Sequence, residues 1–315
     1  MGQGMCKPLE RLARCDNGTY TEALISFCLV QMNPAPNKSI IVCADDFAIH
    51  AGASAGIAKL AAQGRLSATS AMVLSPRWVQ DVAQLRELRD QIDVGLHLDW
   101  TSAFAVAAGH GMPLGVAMRC AVTGGFAQSQ ASAVIEHQLD LFEAHWKAAP
   151  IFVDGHQHVQ QFAGIRQALV EVLQRRYGTQ VVKPYLRVSR APPGLADMKS
   201  RVIAAMGAKA LESIAFNAGL KRSRGLFGIY NFEGGASRYA ALMTRWLAGA
   251  PTGAILMCHP ADGAESDDEI GVARAAEFAY LASDAFASAL QSAGVTIARG
   301  RDALAAVTPA VEIKT

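Results

Sequence analysis

Charge is scarce in this chain. Only 18% of its 315 residues are charged, and 29 basic against 27 acidic side chains leave a formal charge of +2. Such a chain carries no general positive coat, so no nucleic-acid partner is expected. The six cysteines, Cys6, Cys15, Cys28, Cys43, Cys120 and Cys258, include no C-x-x-C pair. That excludes a zinc ribbon and a disulfide framework, and the thiols read as those of a reduced, cytoplasmic enzyme. No apolar run approaches the roughly 18 residues that span a bilayer. The apolar patch Ala23–Val30, preceded by Arg14 and Glu22, lacks the layout of a secretory signal. A proline-rich linker and an internal repeat are missing too. Residues 38–315 are therefore expected to form one domain, with residues 1–37 a poorly ordered extension.

Apolar residues, by contrast, are plentiful at 51%, and a chain of this length buries roughly three-quarters of its unfolded surface. From Ser39 onward short apolar runs alternate with amphipathic segments. The runs are Ser39–Ala44, Ala68–Leu74, Ile92–Leu98, Ile151–Asp154, Tyr185–Ser189, Leu226–Tyr230, Ala254–Cys258 and Val295–Ala298. Near-continuous apolar runs of this length read as parallel strands covered on both faces. Between them, Ile135, Leu139, Phe142 and Trp146 share one helical face opposite Glu136, Asp140, Glu143 and Lys147, and Ile165, Leu169, Val172 and Leu173 form a second stripe. The fold class is α/β: seven or eight parallel strands in a barrel or a doubly wound sheet. Two excursions break the repeat. Residues 101–130 are expected to form a long loop with a short helix, and residues 192–225 a helical insertion; long excursions of this kind commonly wall an active site.

The chemistry-bearing residues gather where strands end. Asp45 and Asp46 follow the first strand, His97 closes the third, and Asp154, His156 and His158 follow the fourth. Arg187 lies in the fifth, and His259 follows Ala254–Cys258. In a parallel barrel all these ends open on one face, where such folds place their active sites. An Asp-Asp pair alone more often caps a helix, but here the next helix begins only near Gly52. One carboxylate can bind a metal while its neighbour takes a proton from water. His97, within an apolar strand, could equally be a hydrogen-bonded core histidine. His156 and His158 form an H-x-H pair of which, in a loop, only one need bind metal. Two histidines and a carboxylate leave positions open for water and substrate. Arg187 beside Asp45 would keep that carboxylate ionised. Cys43 and Cys258 read as packing residues.

Taken in order, Ala44-Asp45-Asp46-Phe47, Thr69-Ser70-Ala71-Met72-Val73, Gly95-Leu96-His97-Leu98, Asp154-Gly155-His156-Gln157-His158-Val159 and Cys258-His259-Pro260 resemble the YdjC/ChbG-like carbohydrate deacetylases, a group that includes HpnK-like and NaxD-like proteins. The resemblance covers about residues 38–300. It implies a distorted (β/α) barrel of about seven parallel strands, related to polysaccharide deacetylases, and metal-dependent hydrolysis of the N-acetyl group of an amino sugar. Carried over by position, it makes Asp45 the general base, Asp46, His97 and His156 the metal ligands, His259 the general acid acting as imidazolium, and Arg187 the residue that orients the base. His158, Asp154 and Phe47 are expected to bind substrate. The cofactor would be one divalent ion, magnesium or zinc foremost, with manganese and cobalt also compatible with mixed nitrogen and oxygen donors. Ala48 stands where the family usually has glycine, and Gln160 where some members carry a further histidine.

Alternative readings are a metal-dependent phosphoesterase or other amidohydrolase on the same barrel, a non-haem iron oxygenase built on the same three donors, and a non-catalytic sugar-binding protein. The last should have lost Asp45 or His259, and both are here. Nine basic residues between Lys183 and Arg224 face only Asp197 and Glu212. They suggest a local positive field suited to a polyprenyl-phosphate-linked amino sugar at the inner membrane surface. The apolar residues among them, such as Leu195, Met198 and Phe216, would also suit a lipid tail or a second subunit in a homodimer.

Overall fold

The computed structural model describes residues 38–305 apart from Pro193. The expected extension over residues 1–37, with Cys6, Cys15 and Cys28, lies outside the described residues. The elements are β1 (Lys38–Phe47), α1 (Ala51–Ala62), β2 (Ala68–Ala71), α2 (Trp78–Arg86), β3 (Asp93–Leu98), α3 (Ala103–Ala107), α4 (Leu114–Thr123), α5 (Gln128–Trp146) and β4 (Phe152–Gly155). After a 3₁₀ segment over His156–Gln161 come α6 (Ile165–Tyr177), β5 (Tyr185–Leu186), α7 (Met198–Ala205), α8 (Ala208–Asn217), β6 (Leu226–Phe227) and α9 (Gly235–Gly249). β7 (Ile255–Cys258), α10 (Gly271–Ala282), α11 (Asp284–Ser292), β8 (Val295–Ile297) and α12 (Gly300–Ala305) complete the described chain.

Every pairing between these strands is parallel, in the order β5-β4-β3-β2-β1-β7-β6. The two ends of that row meet. Leu186 of β5 pairs in parallel with Arg222, just before β6, its N–H donating to Lys221 O and its carbonyl accepting from Ser223 N–H, both at 3.0 Å. A distorted seven-stranded barrel results, and β8 attaches outside the ring to the first residues of β1. The excursion after β3 is more ordered than a long loop: it contains both α3 and α4. The excursion after β5 carries α7 and α8, as its helical periodicity requires.

Strand alternation sorts the side chains into two cores. Ile40, Val42, Ala44, Val94, Leu96 and Val153 point outward and pack with helix residues such as Ile57, Leu85, Leu139, Phe142 and Leu169. Ile41, Cys43, Ala68, Phe152, Tyr185, Leu226, Ile255 and Met257 point inward and fill the barrel. The strand-starting end is closed by α12. Ala303 and Leu304 join the inner core, and Asp93 at the start of β3 accepts from Arg299 Nε at 2.8 Å and from the Gly300 N–H at 2.7 Å. The opposite end, where strands finish, is the mouth.

Gly95, two residues below His97, faces Phe152, whose ring stacks on Tyr185 with centroids 5.2 Å apart. A methyl group there would lie 2.6 Å from the Phe152 ring. Gly95→Ala is therefore expected to cost about 1–3 kcal/mol in urea unfolding, the usual penalty of overpacking. Gly115 in α4 has open space at the corresponding position, so Gly115→Ala should be neutral or stabilising by up to about 1 kcal/mol.

Candidate active site

The mouth acquires its chemistry from the same alternation. Below Asp45 on the inner face lie Ile41 and Cys43; below His97 lie Asp93 and Gly95; Asp154 follows Phe152 and Arg187 follows Tyr185. Asp46 has the wrong parity, and a bulge corrects it. The β1–β2 register passes from Ala44 opposite Thr69 to Phe47 opposite Ala71, so β1 carries one extra residue there, and Asp46 adopts a left-handed φ of 65°. Both adjacent carboxylates therefore reach the mouth. Ala48, at φ 73°, also occupies the left-handed region, which glycine enters without strain.

Asp45 and Asp46 are both buried, yet each meets different partners. Arg187 Nη1 donates to both oxygens of Asp45, at 2.6 and 2.9 Å, and lies 2.9 Å from Asp154 Oδ2. Burial alone would raise the Asp45 carboxyl, but Arg187, with His97 and His259, outweighs it and holds the group at about 2. Asp46 Oδ1 lies 3.3 Å from His97 Nε2 and 3.0 Å from His156 Nδ1, while Arg274 Nη2 donates to Oδ2 at 2.7 Å. Burial again opposes ionisation of Asp46, and Arg274 and His156 overcome it, keeping its carboxyl well below the usual range. His97 donates from Nδ1 to Asp154 Oδ1 at 2.6 Å, which turns Nε2 toward Asp46. Although burial would push the His97 imidazole down, Asp154 and Asp46 raise it to about 10.

Asp46, His97 and His156 thus present three donor atoms within 4.8 Å of one another. Atoms about 3 Å apart are spaced as ligands are when each binds an ion at about 2.1 Å, and a carboxylate behind a ligating imidazole is the usual support of such a site. Cys43, Asp45 and Asp154 also converge, but Arg187 Nη1 contacts both carboxylates there, so a cation is already present.

His259 lies on the other side of Asp45, with Nε2 at 4.0 Å from Oδ2. Burial lowers its imidazole to about 4. That favours the neutral ring before any proton is transferred to it. His158 is not at the donor cluster: its Nδ1 lies 3.0 Å from Ser189 Oγ, and burial with the nearby Arg187 keeps it well below the ordinary imidazole range. Two expected substrate contacts are relocated. Phe47 is wholly buried and meets Trp78 edge to face at 6.3 Å, so it belongs to the outer core. Asp154 is wholly buried between His97 and Arg187, where it orients both and is covered from substrate.

Several members of the basic stretch from Lys183 to Arg224 are engaged separately. Arg187 is inside the barrel, Arg190 pairs with Glu212 at 2.6 Å, and Lys199 donates to Tyr230 O at 2.6 Å. Arg222 lies over the Phe216 ring, and the Arg224 N–H donates to the Gly253 carbonyl at 3.0 Å, just before β7. No helix among the described residues is long and apolar enough to cross a membrane.

Sequence reasoning missed Arg274 and Glu277. Both lie on the buried stripe of α10 with Ala273, Tyr280 and Leu281. Two charges on an apolar stripe were the available signal. Arg274 bridges Asp46 to Asp268, which in turn receives His50 Nε2 at 3.1 Å. Glu277 accepts from the His259 N–H at 2.6 Å and the Tyr230 hydroxyl at 2.7 Å, and burial raises its carboxyl to about 7. Ser70, at the third position of β2, places its hydroxyl 3.1 Å from His97 Nδ1.

The family model for YdjC-like proteins matches residues 39–292. The chain belongs to that family. No curated protein matches it. Among solved structures, a candidate cellobiose-phosphate cleavage protein of Enterococcus faecalis V583 superposes with a TM-score of 0.63 at 16% identity, covering 84% of this chain and 98% of that one. A family 4 acetyl xylan esterase from Clostridium thermocellum with a cobalt ion gives 0.46 at 11% identity, covering 85% and 91%. A family 4 carbohydrate esterase from Streptomyces lividans with acetate gives 0.40 at 12%, covering 84% and 93%. The first of these likenesses establishes a shared barrel fold.

His259 and Glu277 oppose each other in their effect on stability. Between pH 4.5 and 6.5 the unfolded chain binds a proton that folded His259 refuses, so that residue makes stability rise with pH. Folded Glu277 keeps a proton that the unfolded chain releases, so its contribution falls with pH from about 4.5 to about 7. Glu277→Gln should therefore steepen the rise in urea midpoint between pH 4.5 and 6.5. An unchanged slope would refute the buried, protonated Glu277.

Proposed function

We propose that this protein is a metal-dependent hydrolase that removes the N-acetyl group from an N-acetylated amino sugar. The observation that carries this reading is the pairing, at one barrel mouth, of an open three-donor cluster with an ionised Asp45 and a neutral His259 beside it. Family membership supports it independently.

Asp46, His97 and His156 would hold the ion. Two imidazoles suit zinc and a carboxylate suits magnesium or manganese, so the donor set accommodates either kind, and cobalt as well. The chemistry such an ion supplies is polarisation of the amide carbonyl and acidification of water.

The remaining steps fall to the chain's own side chains. Arg187 keeps Asp45 ionised and fixes its orientation. At about 2, Asp45 is a weak base, and its strength as a proton acceptor comes from placement. Across the 4.0 Å to His259 Nε2 stands an imidazole that is neutral before reaction and able to accept that proton. Water adds its oxygen to the acetyl carbon, the C–N bond breaks, and protonated His259 returns the proton to the departing amine. Acetate and the free amino sugar are the products. The imidazolium inferred from sequence thus forms within the cycle.

A phosphate- or polyprenyl-linked sugar gains no support from Arg187, Arg190 and Lys199 of the basic stretch, which are engaged by Asp45, Glu212 and the Tyr230 carbonyl. Acetate release should be compared across chitooligosaccharide, free N-acetyl sugar and lipid-linked N-acetylhexosamine; release from none of them sinks the reading. His97→Ala and His156→Ala should lose metal, by elemental analysis, together with activity. Asp45→Asn should retain metal while turnover falls by about two to four orders of magnitude. Full activity after chelation to a metal-free sample would overturn the metal assignment.

A further inference from the structure

His259 is weakly held for a group that must exchange protons. Glu277 fixes its backbone N–H, but Nδ1 is buried with no hydrogen-bond partner in the described residues, and Nε2 stands 4.0 Å from Asp45, beyond hydrogen-bond reach. An imidazole without hydrogen bonds takes its orientation from what packs against it. That neighbour is Phe232, whose ring meets His259 edge to face with centroids 5.2 Å apart.

Phe232 is itself in an unusual state. Its φ is 60°, a left-handed conformation that bulky residues rarely enter and that persists only where surroundings over-determine it. The surroundings here do so. Lys199 of α7 donates from Nζ to the Tyr230 carbonyl at 2.6 Å and places the same ammonium 4.9 Å from the centre of the Phe232 ring. The Tyr230 ring lies 4.8 Å from that of Phe232, and its hydroxyl donates to Glu277, which also holds the His259 backbone. One lysine from the helical excursion after β5 thereby secures the strained residue that covers His259.

We infer that Phe232, clamped by Lys199, is the positioning residue that aims the His259 imidazole at Asp45, and that supplying this clamp is what α7 contributes to the reaction. The inference rests on the reading of His259 as the proton-transferring group. The charged or titratable groups around that imidazole are Asp45 and Asp46 from β1, Arg187 after β5, Arg274 and Glu277 from α10, His158 from the 3₁₀ segment, and Lys199 beyond the Phe232 ring. None of them hydrogen-bonds the ring.

Two measurements on the full-length protein test this. In acetate release, Phe232→Leu and Lys199→Met should lower kcat about ten- to a hundredfold, as a misaimed group does, with KM within about twofold and an unchanged unfolding midpoint for Lys199→Met. Phe232→Tyr, which keeps the ring, should restore most of the rate. In the absence of substrate, the His259 ring resonance should titrate near 4 in the natural protein and move toward the ordinary value of about 6.5 in Phe232→Gly, which relieves the left-handed strain and uncovers the imidazole. Unaltered kcat in both Phe232→Leu and Lys199→Met, or an unmoved His259 titration in Phe232→Gly, overturns the positioning role. Should the natural protein release no acetate from any amino sugar, the deacetylase reading fails, and the titration alone decides the clamp.

Discussion

Arg187 places a full positive charge inside a barrel otherwise filled with Ile41, Phe152, Tyr185, Ile255 and Met257. A lone guanidinium there would be prohibitively costly, and it is tolerated because Asp45 and Asp154 receive it. The dependence runs both ways, since neither carboxylate could remain buried without it. Asp154 in turn sets the ring of His97, and His97 faces Asp46. Breaking a buried pair of this kind typically costs about 3–5 kcal/mol, because the abandoned partner stays desolvated. The strand-end network is therefore a single electrostatic unit, in which the removal of any one member is felt by the rest.

Two histidines at the same mouth illustrate how strongly the local partners decide. His97 and His259 are both removed from water, and burial pushes each toward the neutral form. His97 has carboxylates at both nitrogens and rises to about 10, whereas His259 has none within hydrogen-bond distance and falls to about 4. The difference separates their prospects. One ring sits between two carboxylates, where a bound divalent ion would displace its second proton; the other meets no hydrogen-bond partner at its ring.

Much of this was legible in the sequence because parallel strands impose a common direction. All eight strands, the α/β class and the convergence of Asp45, Asp46, His97, His156, Arg187 and His259 follow from apolar runs that end in polar residues. Strand periodicity needs only near neighbours to be recognised, and a parallel barrel turns a position in each strand into a shared place in space. The motif order Ala44–Phe47 through Cys258–Pro260 carried the family as well.

What only tertiary structure decided were contacts between elements distant in the chain and the burial they bring. The bulge at Asp45–Asp46 depends on pairing with β2, and the placement of Phe47 in the outer core depends on Trp78. Arg274 and Glu277 stand out on the apolar stripe of α10, but their partners Asp46 and His259, 228 and 18 residues away respectively, are fixed only when that helix packs. The basic residues of 183–224 read as one patch along the chain, yet folding takes Arg187 into the barrel interior, pairs Arg190 with Glu212 and lays Arg222 over Phe216. Protonation states are decided last of all. They depend on the sum of desolvation and nearby charge at each atom, and that sum exists only once the chain has closed around it.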